Sequence, residues 1–141
     1  MPATPPQTTR SLLITGCSSG IGHAAAHAMS ERGWRVFATA RKTEDVARLR
    51  EEGFEALTLD LDSSASIEAA VADVAQRTGG TLTALFNNGA YGQPGGVEDL
   101  SREVLREQLE TNLLGTHEPT TRVLPMMRAQ GHGRIVHNSS V

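Results

Sequence analysis

Leu12-Leu13-Ile14-Thr15-Gly16-Cys17-Ser18-Ser19-Gly20-Ile21-Gly22 runs from an apolar strand through a glycine-rich turn into a helix. Residues 12–14 follow a polar, Pro-rich stretch, as a first buried strand does. Gly16 allows a tight turn out of that strand. Gly20 has no Cβ, so a pyrophosphate can come close to the backbone. Gly22 lets the helix pack hard against the sheet. Ala24, Ala25, Ala26, Ala28 and Met29 continue the helix with good helix formers. The helix start offers unpaired N–H groups and a partial positive charge, which suits a phosphate. The spacing is Gly-x-x-x-Gly-x-Gly, which differs from the Gly-x-Gly-x-x-Gly dinucleotide pattern. It is not a Walker A loop, because no Gly-Lys-Ser/Thr follows. A glycine turn that binds nothing is the competing reading, and the strand-turn-helix context weighs against it.

Outward from this turn, strands and helices alternate. Glu31-Arg32-Gly33 stops the first helix. A second strand is expected over residues 34–40, a short helix over 44–52 closed by Gly53, and a third strand over 54–59 with Asp60 at its end. A helix starting near residues 63–66 places Ile67, Ala70, Val71 and Val74 on one face, and Gly79-Gly80 ends it. A fourth strand over 82–86 leads into Asn87-Asn88-Gly89-Ala90 and a glycine-rich loop over 91–96. Ser101 caps a helix to about residue 111. More helix follows from 112 to about 130, then a break at Gly131-His132-Gly133 and a fifth strand over 134–138. Strands apolar throughout are buried on both faces, so the expected fold is α/β: a doubly wound parallel sheet of the Rossmann kind. Its ligands bind beyond the carboxyl ends of the strands.

With 13 basic and 16 acidic residues in mixed order, the net charge is −3, which argues against a nucleic-acid surface. No apolar run is long enough to span a membrane. Cys17 is the only cysteine, which fits a reducing cytosol; it reads as a small residue filling the turn rather than a nucleophile. The Pro- and Thr-rich start reads as a loose tail over residues 1–10, followed by one dinucleotide-binding domain over 11–141. The expected location is cytoplasmic.

Several polar residues fall at strand ends. Arg41 lies about twenty residues past the glycine turn, where the ribose-reading group belongs. Its guanidinium favours the 2′-phosphate of NADP, whereas an acid would favour NAD. A solvated strand-end arginine is the alternative. Asp60 can accept a hydrogen bond from an adenine amino group or cap the following segment. Asn87 and Asn88 can brace neighbouring strands or touch a cofactor. Ser139 and Ser140 end the fifth strand, where a serine pair alone would be only a turn.

Taken together, Thr15-Gly16-x-x-x-Gly20-Ile21-Gly22, Asp60, Asn87-Asn88, Thr111-Asn112-Leu113 and Gly133-Arg134-Ile135-Val136 leading to Ser139-Ser140 resemble the N-terminal part of a short-chain dehydrogenase/reductase. The wording of the glycine turn is similar to that of the retinol and 17β-hydroxysteroid dehydrogenases and related aldehyde reductases. The resemblance implies hydride transfer between a nicotinamide and an alcohol or carbonyl substrate, and a homo-oligomer. It makes Ser140 the substrate-orienting serine and Asn112 the asparagine that holds a relay water. It assigns cofactor contacts to Gly16, Ser18, Ser19, Gly20, Ile21, Gly22, Arg41, Asp60, Leu61 and Asn88. It implies no metal.

The family's Tyr-x-x-x-Lys is absent: the chain has one tyrosine, Tyr91, and one lysine, Lys42, far apart and in the wrong order. An inactive, C-terminally truncated portion of an NADP-dependent oxidoreductase is therefore expected. The alternative is a non-catalytic NADP-binding or dimerisation module using the helix after Asn112. A flavodoxin-like or response-regulator scaffold would share the sheet, but no cluster of acids marks the first strand. Two further departures stand out. Asn87-Asn88-Gly89-Ala90 inverts the usual Asn-Asn-Ala-Gly, and Pro119 sits inside an expected helix, at a cost of about 3 kcal/mol unless a kink absorbs it.

Overall fold

The computed structural model describes residues 9–140. The expected tail falls, over residues 1–8, outside them. In chain order the elements are β1 (Ser11–Ile14), α1 (Gly20–Glu31), β2 (Arg35–Ala40), α2 (Thr43–Glu51), β3 (Glu55–Thr58), α3 (Ser64–Thr78), β4 (Ala84–Asn87), α4 (Arg102–Leu109), α5 (Gly115–Gln130) and β5 (Arg134–His137). The strands form one parallel sheet in the order β3-β2-β1-β4-β5. The order runs outward from β1 in one direction through β3, then restarts on its other side with β4. The crevice between the ends of β1 and β4 is therefore the topological switch point.

Neighbouring residues of a strand point to opposite faces, and both faces are covered over β1, β2 and β4, whereas the edge strand β5 departs from the expected two-sided burial, with Val136 53% exposed. Leu12 and Ile14 pack with Val36, Ala38, Val46 and Leu49. Leu13, between them, packs on the other side with Phe37, Ile67, Val74 and Val123. This explains why residues 12–14 of β1 are apolar throughout in the sequence. The helix ends follow their local chemistry. Ser63 Oγ accepts the Ser66 N–H at 3.2 Å to open α3, and Gly79 closes it with φ +69°. Ser101 Oγ accepts the Val104 N–H at 3.3 Å to open α4.

The segment after α4 departs from the expected two helices. Residues 110–114 form a widened π turn, in which the Gly115 N–H reaches back five residues to the Glu110 carbonyl. Pro119 is the fifth residue of α5 and is buried. It cannot donate to the Gly115 carbonyl, so the regular ladder is interrupted just after the π turn. The helical path continues through both irregularities, and Asn112 sits within the π turn. Pro125, also inside α5, drew no expectation from the sequence. No helix among the described residues is long and apolar enough to cross a membrane.

Candidate functional site

The glycine turn is built by close backbone packing. Gly16 has φ +70°, and a Cβ there would stand 2.9 Å from Gly89 Cα. A Cβ on Gly22 would come within 2.2 Å of the Gly16 carbonyl oxygen and 2.6 Å of Asn88 Nδ2. Gly22 is thus required by packing, as the sequence suggests. Gly20 differs: its φ is +60° and nothing lies within 4 Å of a Cβ placed on it. The space over Gly20 is open, which fits a ligand approaching the backbone. Ser19 stands at the N-cap of α1 without making a side-chain cap bond. The first-turn N–H groups of α1 therefore have no side-chain acceptor there, and they keep their affinity for an anion. Ile21, at the same helix start, is 62% exposed. Cys17 is fully buried, and burial pushes its thiol up to about 12, so it stays protonated at neutral pH. That agrees with a turn-filling role.

Thr15 ties the two sides of the switch point together. Its buried hydroxyl oxygen accepts the Asn88 N–H at 3.0 Å and the Gly89 N–H at 2.9 Å. Asn88 Nδ2 donates back to the Thr15 carbonyl at 3.3 Å and the Gly16 carbonyl at 3.1 Å. Asn88 Oδ1 accepts from Asn138 Nδ2 at 3.0 Å, which links the end of β5. The Asn88 side chain is therefore spent on bracing β1, β4 and β5. Asn87 braces as well: its Nδ2 donates to Thr120 Oγ1 at 2.9 Å and lies 3.2 Å from His137 Nδ1.

Gly16, Ser18, Arg41, Asp60, Leu61, Gly89, Tyr91 and Thr111 line one groove over the carboxyl ends of the strands. Arg41 is exposed and makes no hydrogen bond or ion pair among the described residues. No carboxylate follows β2 directly; Arg41 and Lys42 stand there. Asp60 does not cap α3, a role taken by Ser63; its Oδ1 accepts the Asp62 N–H at 3.0 Å. Leu61 is a wedge. Its Cδ1 lies 2.5 Å from where a Gly89 Cβ would be, and its Cβ lies 2.7 Å from where a Gly115 Cβ would be. This gives the inverted Asn-Asn-Gly-Ala a physical reason, since the Leu61 methyl fills the space an alanine would occupy at position 89.

The Asn112 side chain is paired with the Tyr91 backbone, accepting from its N–H at 3.1 Å and donating to its carbonyl at 2.7 Å. Its side chain thus positions the loop after β4, and its backbone carbonyl already accepts the Thr116 hydroxyl at 2.9 Å, which leaves that oxygen one further lone pair. Ser139 and Ser140 are exposed just beyond β5, on the same edge of the sheet as Asn138. Sequence reading missed the Thr15 hydroxyl, Asn138, the Thr111–Asp62 side-chain bond, and Arg48, whose Nη2 holds the Ser18 carbonyl at 2.6 Å. A polar threonine directly after three apolar strand residues was the available signal for the first. A separate apolar hollow bounded by Met127, Gly133 and Ile135 lies at the start of β5, away from these strand ends.

The family model for short chain dehydrogenase matches residues 10–141. The chain is 42% identical over 132 residues to the uncharacterized oxidoreductase YbbO of Escherichia coli, covering 94% of this chain and 49% of that protein. A short-chain dehydrogenase structure from Streptomyces avermitilis superposes with a TM-score of 0.88 at 35% identity, covering 96% of this chain and 50% of that one. A variant actinorhodin polyketide ketoreductase solved with NADPH superposes with a TM-score of 0.85 at 38% identity, covering 94% and 53%. The chain spans about half the length of these relatives.

Proposed function

The chain belongs to the short-chain dehydrogenase family of oxidoreductases, and we propose that it binds NADP as the cofactor-holding part of an enzyme that moves a hydride between a nicotinamide and an alcohol or carbonyl. The observation that carries the cofactor choice is Arg41: an unpartnered guanidinium in the groove, with no acid at the end of β2 to hold a 2′-hydroxyl. A 2′-phosphate would give it a doubly hydrogen-bonded partner. Gly20 and the open start of α1 take the pyrophosphate, with Ser18, Ser19 and Ile21 around it. Asp60 and Leu61 flank the adenine, Ser140 orients the substrate oxygen, and the Asn112 backbone holds the relay water. A tyrosine four residues before a lysine occurs nowhere in these 141 residues, so the chain alone binds cofactor without turnover.

The test is a fluorescence titration with NADPH and NADH. Arg41→Asp should weaken NADPH by roughly thirtyfold, the worth of a charged hydrogen-bonded pair, and NADH by much less. Equal losses for both cofactors would overturn the 2′-phosphate assignment. With a carbonyl test substrate added, absorbance at the nicotinamide band should stay constant; steady oxidation of NADPH would overturn the reading of an inactive chain.

A homo-oligomer is supported by an apolar stripe. Leu105, Leu109 and Leu113 recur every four residues along α4 and the π turn and are 54%, 44% and 58% exposed. Light scattering should find a dimer or larger species that Leu109→Glu reduces to monomer. A parent chain that is monomeric at tens of micromolar would count against this face as an interface.

A further inference from the structure

Outside the groove, α1 carries two histidines one turn apart, and both meet the same carboxylate. His23 Nε2 and His27 Nε2 each stand 2.7 Å from Glu52 Oε2, and the three ligand atoms lie within 4.8 Å of one another. Glu52 follows α2 directly, so the cluster joins the two helices that cover one face of the sheet. We propose that His23, His27 and Glu52 form a binding site for a divalent transition-metal ion of the zinc class. The ligand atoms are the two Nε2 atoms and Glu52 Oε2, and a remaining position is open to water.

The donor set selects the ion. Two imidazole nitrogens and one carboxylate oxygen suit zinc, cobalt, nickel or copper, whereas magnesium and calcium want oxygen donors throughout. The helix sets the spacing, since residues four apart lie on one face with neighbouring side chains. The His27 ring packs edge-on to Phe54 at 4.8 Å and to His23 at 4.7 Å between centroids, so its direction is fixed by packing. Without metal, one carboxylate oxygen accepts both imidazole N–H groups. Ligand bonds of about 2.0–2.1 Å in tetrahedral geometry separate the donor atoms by about 3.3 Å, so each N···O distance must open by roughly 0.6 Å and the two imidazole nitrogens, within a triad spanning 4.8 Å, must draw together by up to about 1.5 Å. The side chains are 34%, 42% and 25% exposed, which leaves room for that movement and a path for the ion. Arg48 pairs with the same carboxylate through its other oxygen, Nε standing 3.8 Å from Glu52 Oε1, while Nη1 lies 2.9 Å from Asp45 and Nη2 lies 2.6 Å from the Ser18 carbonyl, so Oε2 is left to the two imidazoles.

The experiment is a competition titration of the tag-free chain with zinc chloride against a coloured chelator. Cobalt(II) serves as a spectroscopic probe. One zinc per chain is expected, and cobalt should give the visible absorption of a four-coordinate nitrogen/oxygen site. His27→Gln and Glu52→Gln should each weaken zinc by about tenfold or more and bleach the cobalt band. His132→Gln, in the loop before β5, should change neither. All three positions are at the surface, and circular dichroism verifies that each variant is folded. Absence of zinc uptake by the parent chain, or uptake that both ligand variants retain undiminished, would overturn the site.

Discussion

Replacing Gly22 by alanine should destabilise the chain by about 2 kcal/mol or more, read as a fall in the urea midpoint. A new methyl at position 22 would sit 2.2 Å from the Gly16 carbonyl oxygen and 2.6 Å from Asn88 Nδ2. Neither neighbour can yield cheaply. Gly16 holds φ +70° and is itself pressed against Gly89, and Asn88 is bonded on both sides. Overpacking of this kind costs about 1–3 kcal/mol and more where backbone must move. Alanine returns about 0.5–1 kcal/mol as the better helix residue, which does not offset the clash. Gly20→Ala is the informative comparison. Its Cβ meets nothing, so the loss should be limited to the left-handed backbone, about 1–2 kcal/mol. It should nevertheless impair NADPH binding more than its stability loss explains, because the methyl points into the space over the turn. A Gly22→Ala midpoint equal to that of the parent would mean that α1 does not need its close approach to the turn.

These two glycines show how far sequence alone could go. Strand-turn-helix order, the continuous apolar strands and the glycine spacing were all legible, because each depends on local chemistry. The strand order β3-β2-β1-β4-β5 was not, because right-handed crossovers allow more than one doubly wound order. Nor was it legible which polar atoms meet. Asn88 read equally well as brace or cofactor contact, and only the proximity of Thr15 and Asn138, distant in sequence, decided for bracing by its side chain. Asp60 read equally as an adenine contact or a cap on the following segment, and its Oδ1 does take the Asp62 N–H of that segment while Ser63 caps α3 itself. Gly89 looked like a departure from pattern until Leu61 was found filling its place. The π turn was hidden for a similar reason. Pro119 signals that a ladder must break but not on which side the chain absorbs it.

The strongest single test of the switch-point brace is Thr15→Val, which keeps the shape and removes only the acceptor. Thr15 is 1% exposed, and its hydroxyl oxygen accepts two backbone N–H groups, from Asn88 and Gly89. Valine leaves both donors facing a methyl group. An unsatisfied buried donor costs about 1–3 kcal/mol, and the partial exposure of residues 88 and 89 puts each toward the low end. A loss of about 2–3 kcal/mol in unfolding free energy is expected. Thr15→Ser keeps the oxygen and loses one methyl, so it should cost no more than about 1 kcal/mol. The ordering of the two variants carries the test, because a purely packing role would make serine the worse replacement. NADPH affinity should follow the same order, since Thr15 holds the ends of β1 and β4 on either side of the crevice where the cofactor is proposed to lie. A valine variant as stable as the parent, or a serine variant less stable than the valine, would show that the hydroxyl is not what joins the two halves of the sheet.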